Sequence, residues 1–90
     1  MRELAVARKQ AADETGRMRT YDYALLVGEV PVSDGLFCES YGVCVREQDG
    51  ETERVPHVTV SAARIDRLMD LLVRNTVTPS TLRDVVDDWL

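Results

Sequence analysis

The stretch FCESYGVCV, residues 37 to 45, decides how this chain folds. Its odd positions carry Phe37, Tyr41, Val43 and Val45, and its even positions carry Cys38, Ser40, Gly42 and Cys44. Side chains leave a strand on alternating faces, so aromatic and β-branched residues at every second place read as one apolar strand face. The same reading bears on the thiols. On an extended strand Cys38 and Cys44 share a face but lie ~20 Å apart at about 3.3 Å per residue. A disulfide needs Cα atoms within about 7 Å, so the two do not bond to each other. Two cysteines and one histidine also fall short of the four ligands of a structural zinc site, and the close cysteine spacing of such sites is missing. Both cysteines read as small, half-buried fillers of apolar space. Gly42 in mid-strand makes room for a helix or an aromatic ring, or else exposes backbone to a peptide or ligand.

Working outward, Asp49-Gly50 is a hairpin signal, and TERVPHVTV returns as the next strand. Pro56 cannot donate to a ladder, which marks an edge strand, a bulge or a bend. Counting back from the turn puts Cys44 opposite a residue near Val55 and His57 opposite Gly42, so that the imidazole approaches Cys44 diagonally. Upstream, Tyr21, Tyr23, Leu25 and Val27 form another apolar face, and Leu4 and Val6 a third. ADETG is a turn between them, with Asp13 bonding locally and Gly16 at positive φ. Gly28, Pro31 and Gly35 interrupt GEVPVSDG, which reads as a longer loop or a kinked hairpin.

At Ser61 the period changes from two to 3.6. Ser61 caps a helix whose Ile65, Leu68, Met69 and Leu72 fall on one face, and Asn75 stops it. Thr78 and Pro79 open a second helix with Leu82, Val85, Val86, Trp89 and Leu90 on its apolar side. The expected fold is α+β within one domain, residues 1–90: a four-stranded antiparallel meander followed by two amphipathic helices packed on one face. The strands span about 3–10, 18–28, 36–48 and 51–60, and the helices about 62–75 and 79–90. Each helix stripe contributes several kcal/mol at ~25 cal/mol per Å² buried, enough to make docking on the sheet decisive.

The bulk numbers restrict the function. Ninety residues, 44% hydrophobic and 30% charged, are ordinary for a small globular domain. No apolar run is long enough to span a membrane, and MRELAVARKQ has no signal-peptide apolar region, so a cytoplasmic location is expected. A net charge of −5, with one lysine and ten arginines dispersed among acids, argues against direct nucleic-acid binding. Phosphate-cradling glycine motifs are absent. Asp84, Asp87 and Asp88 crowd the negative end of the last helix, an unfavourable placement that Arg64, Arg67 or Arg74 could compensate.

YDYALLVGEV, FCESYGVCV and LLVRNTVTPSTLRDVVDDWL together resemble a family of small proteins of unknown function from anaerobic Gram-positive bacteria. The resemblance covers about residues 21–90. Its most specific pieces are Glu39-Ser40-Tyr41-Gly42 and the tail from Asn75 to Leu90 with Thr78-Pro79. In that family a histidine commonly follows the Thr-Pro pair by two residues; here the place is Thr81, so a site built on that histidine does not carry over. The resemblance implies a compact cytosolic domain and no particular activity.

Three functional readings follow. The first is a small cytosolic protein-interaction or regulatory domain without catalysis, needing neither cofactor nor metal, with another protein as partner. Its candidate contact residues are Glu39, Tyr41, Gly42, His57, Asp84, Asp87 and Asp88. The second is an acidic inhibitor of a nucleic-acid enzyme, with the three aspartates imitating phosphates. The third is a ligand binder or enzyme around Glu39, Tyr41, Cys44 and His57, which lacks a visible orienting group and oxyanion hole. A homodimer is compatible with all three, since a small core gains from association.

Overall fold

The computed structural model describes residues 1–90. Its elements are β1 (Arg2–Ala12), β2 (Met18–Ser33), β3 (Leu36–Glu47), β4 (Thr52–Thr59), α1 (Ala62–Arg74) and α2 (Pro79–Trp89). The strands form one antiparallel sheet in the order β1-β2-β3-β4, and the helices follow in sequence: the expected α+β meander. Tyr21, Tyr23, Val43 and Val45 meet Ile65, Leu68, Met69, Leu72, Leu82 and Val86 in one core. Fully burying one such aliphatic or aromatic side chain contributes about 1.5–3 kcal/mol, so this interface holds the two layers together.

Local chemistry sets the element ends. The Ser61 hydroxyl accepts from the Arg64 N–H at 3.2 Å, capping α1. At its other end the Val77 N–H reaches the Leu72 carbonyl and the Thr76 N–H the Val73 carbonyl. These are the paired bonds of a Schellman ending, with Thr76 at φ 50° where glycine usually sits. Thr81 Oγ1 accepts from the Thr78 N–H at 3.3 Å, so this threonine serves the start of α2. In the first turn, Asp13 Oδ1 accepts from the Thr15 and Arg17 N–H groups, and Gly16 has φ 84°.

Three side chains tie the layers through long-range hydrogen bonds. The Tyr23 hydroxyl donates to the Val77 carbonyl at 2.9 Å, and burial pushes its pKa up to about 12. Lys9 Nζ donates to the Val73 carbonyl at 2.8 Å, placing a cation at the negative end of α1. Arg83 Nη2 donates to the Arg54 carbonyl and to Glu53, joining α2 to β4.

The structure corrects several expectations. Of the two readings of GEVPVSDG, the kinked hairpin holds and the longer loop does not: β2 continues past residue 28 to Ser33, and Ser33 pairs with Leu36 across a two-residue turn, Asp34-Gly35, with Gly35 at φ 69°. Pro31 is tolerated because β1 ends its pairing at Val27, leaving β2 with one neighbour there. Phe37 lies on the apolar parity yet is 62% exposed, because it sits beyond the reach of the helices. In β1 the alternation breaks at Val6, an extra residue between Ala5 and Ala7, so Leu4 and Val6 do not form a regular face. The β3–β4 register places Cys44 opposite Arg54 and Val43 opposite Val55.

Candidate functional site

Gly42 is the residue on which the centre of the sheet turns. Between the pairs Tyr41–Thr59 and Val43–Val55, β4 carries two more residues than β3. The surplus forms a bulge at Pro56-His57, with His57 at φ 54°. A Cβ at Gly42 would meet the Val55 carbonyl oxygen at 2.3 Å and Pro56 Cα at 2.6 Å. The glycine therefore makes room for the bulged backbone of its own neighbour, not for a helix or an aromatic ring. The imidazole then reaches across β3 towards β2, where a Cβ at Gly28 would lie 3.0 Å from His57 Cε1.

Cys44 has a different environment. It is 1% exposed and forms, with Ala24 and Leu26, a small cluster on the sheet face away from the helices. Glu3 of β1 stands on this face, paired with Arg46 at 3.3 Å and Arg54 at 3.5 Å. Burial, and then the Glu3 carboxylate, raises the Cys44 pKa. The thiol is thus held in its unreactive form. Both cysteines are free. The network over Cys44 left no sequence signal, because its three charges come from three strands.

Glu39 and Tyr41 do come together. The Tyr41 hydroxyl donates to Glu39 Oε1 at 3.1 Å, and Arg2 Nη2 lies 3.6 Å from Glu39 Oε2. The hydrogen bond to Glu39 raises the Tyr41 pKa. These residues stand at the root of a projecting arm. Residues 28–33 of β2 have no β1 partner, and residues 36–40 of β3 have no β4 partner, so the hairpin continues alone. It contributes to a long axis of 53 Å against widths of 23 and 17 Å. Val32, Leu36 and Phe37 near its end are 62, 61 and 62% exposed. Asp34-Gly35 was the signal for this arm, of the same kind as Asp49-Gly50.

The aspartates of α2 form a separate place. Asp84, Asp87 and Asp88 are exposed and make no ion pair. The expected compensation is not made. Arg74 pairs with Asp70 instead, and the Arg64 guanidinium lies 4.5 Å from the Trp89 ring centroid. Trp89 is half-buried against the core, and Leu90 is exposed.

Fold and site together define a two-layer α+β domain whose most distinctive surface is a projecting apolar hairpin rather than an enclosed cavity. The chain belongs to a family of unknown function, DUF6514, whose family model matches residues 2–90. Comparison with curated proteins and with solved structures returns no match. No helix is long and apolar enough to cross a membrane.

Proposed function

We propose that this domain acts by docking onto another protein, without catalysis, in the cytoplasm of a bacterium of the anaerobic Gram-positive group. The β2–β3 arm is the docking element. The observation that carries this reading is the exposure of Val32, Leu36 and Phe37 at the end of a two-stranded projection. Leu36 and Phe37, consecutive in β3, expose apolar surface on both faces of the ribbon near its end, and exposed large apolar side chains concentrated in one region mark contact surfaces. Residues 28–45 hold Glu29, Asp34 and Glu39 and no lysine or arginine. The complementary surface is therefore an apolar cleft with a basic rim. Two facts support the absence of catalysis: the Cys44 thiol is buried and held protonated, and the His57 imidazole is turned towards Gly28.

A photo-crosslinking residue placed at position 37, and separately at position 84, tests the reading in cells that carry the protein. One dominant adduct is expected from position 37, none from 84, and Leu36→Ser should abolish it. An adduct from position 84 alone would transfer the role to the aspartates and favour the phosphate-imitating inhibitor.

A further inference from the structure

The β2–β3 arm has two outer edges, and their backbones are unlike. The Gln48 N–H bonds to the Thr20 carbonyl on β2, and the Glu47 N–H to the Glu51 carbonyl on the β4 side. Main-chain polar groups alternate in direction along a strand, so the even residues of β3 bond to β2 and the odd residues face β4. Beyond Tyr41, which pairs with Thr59, β4 has ended. Phe37 and Glu39 therefore turn their N–H and carbonyl groups outward with no strand beside them. The Cys38 thiol donates to the Glu39 carbonyl at 3.4 Å, a weak local bond. On the other edge the outward residues are their cross-strand partners, Pro31 and Glu29. Pro31 has no N–H, so that edge is spoiled while the β3 edge is whole.

We propose that the outer edge of β3, residues 36–40, takes a basic extended segment of a partner protein as an added strand, in line with β4. This mode of binding rests on the arm being the docking element. Unpaired main-chain groups in a row are a template for strand addition, and each of the two outward residues offers one donor and one acceptor. Side chains flank them on both faces. Leu36 and Phe37 are consecutive, so alternate residues of the added strand cover one on each side of the ribbon. The arm supplies the charge that selects the segment. Glu29 and Asp34 make no ion pair, and Glu39 makes one, with Arg2. Lysine or arginine on the added strand meets these carboxylates. The same charge disfavours a second copy as occupant. Arm against arm would gather the acids of both copies, with no lysine or arginine among residues 28–45 to offset them.

Photo-crosslinking from position 37 in cells that carry the protein, with a proline placed on one edge or the other, tests this mode. Glu29 and Glu39 are partners across the ribbon, so Glu29→Pro and Glu39→Pro remove the same charge from the same rung. Neither N–H points into the ladder, so neither proline removes a bond of the arm. Glu39→Pro is expected to lower the adduct at least tenfold below Glu29→Pro, with the circular dichroism of the two purified chains alike. In the purified adduct that carries neither proline, the Glu39 amide should exchange at least tenfold slower than in the free chain, and the Glu29 amide at an unchanged rate. Mass spectrometry should place the cross-link in a segment rich in lysine or arginine. Equal adducts from the two prolines, or an unprotected Glu39 amide, overturn strand addition and leave the arm a contact made by side chains. A cross-link to an acidic segment or to a second copy overturns the choice of occupant. No adduct from position 37 even without the prolines overturns the docking role of the arm itself, and this mode of binding with it.

Discussion

Gly42 and Thr76 show the same backbone logic with opposite signs. At Gly42 the obstacle is main chain, the Val55 carbonyl and Pro56 Cα, which cannot swing aside as a side chain would. Gly42→Ala should destabilise the domain by about 2–4 kcal/mol, a large share of the stability of a small domain. Thr76 is the reverse case, a β-branched residue held at φ 50° by the Schellman bonds of α1. The left-handed conformation disfavours it by about 1–2 kcal/mol, while glycine loses about 0.5–1 kcal/mol of chain entropy. Thr76→Gly should therefore stabilise the protein by about 0.5–1 kcal/mol. Urea titrations of both variants read the two effects, and equal midpoints would refute both. The unusual nature of Gly42 was legible in its mid-strand position. What fills its empty side was not, because the Pro56 bulge comes from a strand that pairs only after folding.

At the scale of elements, β2 and β3 divide into a packed half and a projecting half. Cys44 lies in the first, beneath Glu3 and its two arginines; Cys38 lies in the second, half-buried and paired with Val30. A two-stranded ribbon opens far more readily than a sheet packed on helices. Thiol labelling under native conditions should show one fast phase from Cys38, and a second, from Cys44, no faster than global unfolding. Equal rates would mean that the arm is no looser than the sheet. The helices were legible almost to the residue, because caps and a 3.6 period are local properties. The sequence leaves the arm open between a longer loop and a kinked hairpin, because Gly28 and Pro31 count against a central strand. They do not count against a ribbon whose outer neighbour has ended.

For the whole molecule, charge pairing ties stability to pH. The Thr15 hydroxyl and then the Arg19 guanidinium hold the Asp13 carboxyl far below the usual range. A hydrogen bond from Arg8 lowers Asp22. At Glu3 burial works the other way, but the Arg46 hydrogen bond and charge outweigh it. All three carboxyls have folded pKa values below their unfolded ones. Their contribution is complete above about pH 5 and fades as pH falls through the folded values. Thermal midpoints should fall steadily below about pH 4, where unfolded carboxyls take up protons. Asp13→Asn should lower the midpoint at neutral pH and narrow that gap in acid. A gap independent of pH would rule out this linkage.

The alternation of residues 18–27 and 41–47, the turn chemistry at Asp13 and Asp49, and the stripes of α1 and α2 determined the α+β meander without coordinates. Each is a relation between residues close in the chain, governed by the pleat, the helical repeat or a capping bond. The tertiary structure alone decided that the bulge open to Pro56 lies over Gly42, and it alone decided the charge network above Cys44, the reach of the β2–β3 arm and the open edge of β1. These depend on where neighbouring strands stop and which residues meet across them. That is set by packing between segments distant in sequence, which no local period records.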